Sequence, residues 1–279
     1  MKLEGIHQPT ICPCCGSNQF QCQHIFEERP AVETDFKFND YYRELWCCQI
    51  CSHFLSNTSM DLSTLYQIDY VDKTYGGTDE VQQAYERIIG LDPDESDNVG
   101  RVDRVVRFAG QHFGDASNLK VLDIGSGLGV FLSRVRQVTD WTCTALDPNP
   151  RLAEHAAKTL GIEAVCEDYR KLGWEREFEI ICLNKVLEHI EEPLGLLKRC
   201  RRDLAPDGFL YLELPDGETA MEDVHGYCRE EFVVEHHHVF SMASMEMLTK
   251  RAGFRSIKLE RLREPSTKYT IYSFLKPTQ

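Results

Sequence analysis

KVLDIGSGLGVFL, residues 120–132, is the stretch on which the fold turns. A short apolar run ends in an acid, a glycine-rich turn follows, and an apolar helical pattern begins. Gly125, Gly127 and Gly129 permit positive backbone dihedrals and close approach of a ligand, and the helix behind them presents free amides. The spacing is GxGxG rather than GxGxxG, and Asp123 stands just ahead of the turn. A carboxylate there repels a pyrophosphate and suits a ligand carrying an ammonium and a sulfonium. A nicotinamide dinucleotide is therefore disfavoured.

Outward from this turn, strand and helix patterns alternate. The strands expected are 120–125, 143–147, 162–167, 178–184 and 209–214, with helices at 130–138, 151–161 and 193–205. Short, nearly continuous Val/Ile/Leu runs between amphipathic helices predict a parallel sheet covered on both faces. A helix at 241–253 then leads into two alternating strands, 255–262 and 267–276, which read as a hairpin forming an antiparallel edge. Upstream, 79–90 and 98–114 have helical patterns. The chain thus divides into a Cys-rich module (1–58), a helical connector or substrate-side cap (59–117) and an α/β core (118–279). Residues 215–240 interrupt the alternation after the fifth core strand, where an insertion makes a natural lid.

Each of the next three strands ends in residues that suit a nucleoside ligand. Asp147, followed by Pro148, is placed to accept from ribose hydroxyls. Asp168 suits an adenine amino group, with Tyr169 covering the ring. The fourth strand runs into LNKVLEHI (183–190). Carboxyl ends of neighbouring parallel strands are where open α/β sheets bind ligands.

On VLDIGSGLG, TALDPNP, CEDY, FEIICLNKVLEHIEEPLGLL and DLAPDGFLYLELP, residues 98–276 resemble the class I S-adenosylmethionine-dependent methyltransferases. The resemblance implies a Rossmann-like seven-stranded sheet with an antiparallel last strand. It implies that the loop of Asp123, Gly125, Ser126, Gly127 and Gly129 holds the methionine end of S-adenosylmethionine. Asp147 and Pro148 would border the ribose, Asp168 and Tyr169 the adenine, and the backbone of Leu183 and Asn184 the methionyl amino group.

Seven of the 12 cysteines lie in the first 51 residues. Cys12-x-x-Cys15 and Cys48-x-x-Cys51 supply two knuckles for a tetrahedral, structural zinc, whose binding would help fold a module too small for its own core. Cys14 and Cys47 stand one residue off this spacing and keep the assignment open, while Cys22, His24 and His53 are lesser candidates. Cys143, Cys166 and Cys182 sit in apolar strand runs and read as small core residues.

Lys plus Arg number 31 against 45 Asp plus Glu, a formal charge of −14, which disfavours phosphate backbones as partners. No run of signal-peptide or membrane-span length occurs, so a cytoplasmic protein is expected, with its oligomeric state open.

In the 215–240 insertion, Glu235-His236 offers a histidine oriented by a carboxylate, suited to removing a proton near neutral pH. His189 is expected to face the same cleft, and His225 or Tyr227 are alternatives. The double CxxC, Tyr70 and Tyr75 before the core, and Glu-His ahead of Phe-Ser resemble the sugar C-methyltransferases of deoxysugar pathways. The further C-terminal domain of that family has no counterpart in this sequence. The resemblance implies proton removal by His189, His236 and Glu235, with Tyr75 as a further candidate. It also implies a nucleotide-linked sugar as acceptor, methylated on oxygen, nitrogen or carbon, with Tyr70, Tyr75, His225 and Tyr227 as its expected substrate contacts. A competing reading keeps the cofactor and makes the chain a zinc-containing adaptor or regulator of a protein partner.

Overall fold

The computed structural model describes residues 8–38, 40–62 and 78–278. Tyr70 and Tyr75 lie outside these residues. In chain order the elements are strands Phe20–Phe26 (β1), Arg43–Cys48 (β2) and Phe54–Thr58 (β3), and helices Thr78–Ile89 (α1) and Asp97–Phe113 (α2). The core follows as Lys120–Ile124 (β4), Val130–Val138 (α3), Thr142–Leu146 (β5), Pro150–Leu160 (α4), Glu163–Val165 (β6), Phe178–Asn184 (β7) and Pro193–Asp203 (α5). It closes with Leu204–Pro215 (β8), Gly217–Met221 (α6), His238–Val239 (β9), Met242–Arg251 (α7), Phe254–Arg263 (β10) and Tyr269–Pro277 (β11).

Seven strands form a Rossmann-like sheet in the order β10-β11-β8-β7-β4-β5-β6. The strands β4 to β8 pair in parallel, and β11 runs antiparallel to both β8 and β10, as the hairpin reading anticipated. The order reverses between β4 and β7, which opens a crevice at their carboxyl ends.

The apolar runs are continuous because both faces of this sheet are buried. Leu122, Ile181, Leu183, Leu210 and Leu212 point into one cluster, with Leu196 of α5 and Leu248 of α7. Their neighbours Val121, Ile180, Cys182, Phe209 and Tyr211 point into the other, with Val102 and Val105 of α2 and Phe131 of α3. This is the period of two expected along a strand. Helix ends follow local chemistry: Asn149 caps α4 by accepting from the Arg151 and Leu152 amides, and Gly161 ends it in a left-handed conformation.

Three local expectations are corrected. The third core strand stops at Val165, so Cys166 is exposed rather than a core residue; Cys143 and Cys182 are buried as expected. The helix at 193–205 ends at Asp203, where β8 begins. Residues 215–240 do more than interrupt the core, because β9 adds to β1-β2-β3 to make a second, four-stranded antiparallel sheet. Val239 pairs with Phe54 and His238 with Leu55, so the insertion carries the N-terminal module on its back.

Candidate functional site

A cleft of about 840 Å³ opens at the carboxyl ends of β4, β5 and β7. At one end lies the glycine turn. Gly125 and Ser126 donate their amides to the Leu146 carbonyl at 2.8 and 3.0 Å, which lays the turn across the end of β5. A Cβ on Gly125 would come within 2.7 Å of Val186, so the turn and the loop after β7 approach as only glycine allows. Gly127 has a φ of 53° and nothing within 4 Å of a Cβ built on it, so open cleft lies beside it. Gly129 stands at the amino end of α3.

Asp147 binds the two loops together. One carboxylate oxygen accepts from the Gly127 amide at 2.9 Å and the other from the Asn149 amide at 2.9 Å. Asp123 is 2% exposed and accepts from the Asn184 side-chain amide at 2.8 Å. Burial pushes its carboxyl up to about 7, against the pull of Asn184 and Arg101. Pro148 lines the cleft beside Asp147. Asp168 lines it too, with its carboxylate held by Arg170 at 2.8 Å. Tyr169 borders the cleft but is 2% exposed, and its hydroxyl donates to Asp203 at 2.8 Å, which anchors the ring in the core. The Leu183 side chain packs under the sheet, leaving only its main chain to serve a ligand. The Ser126 hydroxyl and the Asn184 amide oxygen are buried in the cleft wall without partners among the described residues. Orphaned polar atoms of this kind fit a polar ligand lying along the turn.

The other end is built from two loops distant in sequence. His189 follows β7 in the short turn Leu187–His189, and His236 comes from the insertion. Their rings meet edge to face with centroids 4.8 Å apart. His189 Nδ1 lies 3.0 Å from the Glu235 carbonyl and His236 Nδ1 2.8 Å from the Glu231 carbonyl. A carbonyl only accepts, so each Nδ1 carries the proton and each Nε2 is the lone-pair nitrogen. Burial pushes His189 down to about 4 and His236 well below its usual value, so both are neutral bases at physiological pH. Main-chain carbonyls hold the two rings, that of Glu235 on His189 and that of Glu231 on His236, and Glu235 itself lines the cleft. His225 is exposed, and Tyr227 packs on Phe54 and Phe232; neither is among the described residues lining the cleft.

Sequence reasoning missed four residues here. Glu188 is 1% exposed and lines the cleft. One ligating atom each of Glu188, His189 and His236 lie within 4.8 Å of one another. Lys185 takes a left-handed φ of 58° and donates its ammonium to Thr270 at 2.7 Å. Such a backbone is strained for lysine, a signal that only coordinates reveal. Behind it Glu213 is fully buried between Arg101 at 2.5 Å and Arg104 at 3.1 Å. The fourth is Arg43 of β2, fully buried, which pairs with Glu33 at 2.5 Å and donates to the Phe232 carbonyl at 2.7 Å. That bond fastens the His236 loop to the N-terminal sheet.

In that module the thiols of Cys12, Cys15, Cys48 and Cys51 lie within 4.8 Å of one another, with Cys12–Cys51 at 3.6 Å and Cys15–Cys48 at 3.5 Å. Tetrahedral zinc with bonds of about 2.3 Å needs sulfurs about 3.8 Å apart, so the donor set fits. Cys14 and Cys47 stand outside this group. The knuckles pack into the same apolar cluster as Phe240 and Leu248, and the Cys51 carbonyl accepts from Ser241 at 2.5 Å. His53, His24 and Cys22 are not ligands of this group; His53 instead meets His238 at 3.1 Å, and His238 reaches the Glu191 carbonyl at 3.2 Å.

Comparison with known proteins gives the following. Residues 90–259 match a family model described as a methyltransferase domain. A ubiquinone biosynthesis O-methyltransferase of Actinobacillus pleuropneumoniae is 30% identical over 122 residues, covering 40% of this chain and 50% of that protein. One from Xanthomonas oryzae is 31% identical over 106 residues, 35% of this chain and 44% of that one. The chain therefore spans about half the length of the curated relatives it matches. Among solved structures, a 1,6-didemethyltoxoflavin-N1-methyltransferase of Burkholderia thailandensis, with its substrate and S-adenosylhomocysteine bound, superposes with a TM-score of 0.53 at 16% identity, covering 88% of this chain and 100% of that one. An S-adenosylmethionine-dependent methyltransferase from Clostridium acetobutylicum gives 0.51 at 12% identity, over 72% and 99%. At these identities the superpositions establish the fold.

Proposed function

This chain belongs to the methyltransferase-domain family, and from that premise we propose that it methylates a small polar metabolite, with S-adenosylmethionine as donor. A nucleotide-linked sugar is the acceptor that the sequence resemblance favours, methylated on oxygen, nitrogen or carbon. The observation that carries the reading is one cleft holding the Asp147-braced glycine turn at one end and two neutral histidines at the other. The bound cofactor would supply an electrophilic methyl group.

The chain's own residues do the rest. Asp147 keeps lone pairs for ribose hydroxyls while its two amide bonds hold the turn in shape. Asp123, Ser126 and Asn184 offer polar atoms to the methionine end, and Asp168 borders the adenine. His189 and His236, their Nδ1 protons engaged by carbonyls, each direct a basic Nε2 to the acceptor, and alignment with proton removal is the task left to the protein. Residues 1–58 form a module stabilised by zinc on Cys12, Cys15, Cys48 and Cys51. Residues 59–117 connect it to the core at 118–279, over which 215–240 acts as lid and latch. Among the described residues no helix is long and apolar enough to cross a membrane.

Incubation with radiolabelled S-adenosylmethionine and a panel of sugar nucleotides tests this. Label should pass to a small molecule. Transfer to none of them, despite measurable cofactor binding, would turn the reading toward an adaptor.

A further inference from the structure

The acceptor end of the cleft brings Glu188, His189 and His236 together. Both oxygens of the buried Glu188 carboxylate lack a hydrogen-bond partner among the described residues. The neighbouring His189 and His236 have their donors turned to main-chain carbonyls. A low-dielectric site holding an unsatisfied carboxylate is costly unless a ligand brings donors to it. Burial already pushes the Glu188 carboxyl up to about 7, against the opposing influence of Lys185.

Three kinds of donor would complete such a site, and the surroundings separate them. A phosphate would face the Glu188 carboxylate, and the cleft's cations are engaged: Arg101 with Glu213, Arg170 with Asp168, Lys268 with Glu230, and Lys185 with Thr270. A divalent cation or an ammonium would meet the Lys185 ammonium, which lies on the same loop and interacts with Glu188 through space. Neutral hydroxyls meet neither objection, and a carboxylate with two open oxygens matches a pair of adjacent O–H groups.

We propose that Glu188 is the specificity-determining residue of the acceptor end, its carboxylate accepting both hydrogen bonds of a vicinal hydroxyl pair. This rests on the methyl-transfer reading and narrows it to diol acceptors, with any phosphate of the acceptor lying outside the inner cleft. A sugar or an aromatic diol could supply the pair.

The test uses the full chain loaded with S-adenosylhomocysteine and two probe pairs: UDP-glucose with a deoxy analogue, and catechol with phenol. In the wild-type protein at least one diol should bind roughly tenfold or more tightly than its partner lacking a hydroxyl. Glu188→Gln and Glu188→Ala should remove that preference, and the pair that responds identifies the source of the diol. S-adenosylhomocysteine affinity, measured by calorimetry on the same samples, should stay within about twofold and reports that the variants are folded. A preference that survives in Glu188→Ala overturns the proposal, as does equal binding within both pairs. Diol binding seen only with added magnesium or manganese also overturns it, by assigning the carboxylate to a metal. If S-adenosylhomocysteine does not bind the wild-type protein, the methyl-transfer reading itself has failed.

Discussion

The two ends of the cleft are built on different principles. At the cofactor end, residues 123–129 and 147–149 are near in sequence and joined by adjacent parallel strands, and main-chain amides satisfy the Asp147 carboxylate. At the acceptor end, the loop 185–189 meets 231–237 from the insertion, and the N-terminal module holds that insertion through Arg43 and the β3–β9 pairing. The first end is a local device that any such strand–turn–helix would make. The second exists only when three distant segments are folded together, so it should be separable from cofactor binding and more sensitive to remote changes.

The sharpest way to break this comparison is the double variant His189→Ala/His236→Ala. Turnover should fall by about a hundredfold to ten-thousandfold, the usual worth of a positioned base, while S-adenosylhomocysteine affinity changes little. A parallel loss of cofactor affinity would mean the two ends act as one. Arg43→Ala comes next. It strands Glu33 in the interior and should cost about 3–5 kcal/mol of stability in denaturant titration. Where the variant still folds, activity should suffer before cofactor affinity does. Cys48→Ser should abolish retained zinc by metal analysis and cost about 3 kcal/mol or more. Because the knuckles pack against Phe240 and α7, this damage should reach the core.

Asp147→Ala addresses the opposite end. Losing the brace on Gly127 and Asn149 should weaken S-adenosylhomocysteine binding about tenfold to a hundredfold, with stability changed less. The smallest effect is on pH. Asp123, with its carboxyl near 7, must shed a proton before it meets a cationic ligand, so cofactor affinity should rise between about pH 6 and 8 by up to about tenfold. Asp123→Asn should flatten that rise in calorimetry. The histidines at the other end contribute nothing there, because His189 and His236 have already lost their protons at lower pH.

Legibility in the sequence followed the same division. The strands of the core, the hairpin edge and the glycine turn could be read because their signals are periodic or contiguous. The Cys12, Cys15, Cys48 and Cys51 grouping followed from knuckle spacing, since a two-residue gap fixes which thiols can converge. Glu188 was hidden in LNKVLEHI, where an acid next to a histidine looks like any polar loop residue. Arg43 carried no signal at all, since a charged residue in a short strand ordinarily faces solvent. The contact of the Glu235 carbonyl with His189 carried no signal either, because backbone direction is not written in residue type.

By itself the sequence determined the parallel sheet, its crevice, the phosphate-averse turn and the thiol knuckles, all consequences of short-range pattern and backbone stereochemistry. Only the tertiary structure decided that β9 would complete the N-terminal sheet, that Arg43 would be buried against the insertion, and that Glu188 would stand beside two histidines whose Nδ1 donors are turned to main-chain carbonyls. Those arrangements depend on burial and on pairing across up to about two hundred residues. Removing polar groups from water costs free energy that only their mutual pairing offsets, and the order of residues along a chain does not state which groups will be removed together.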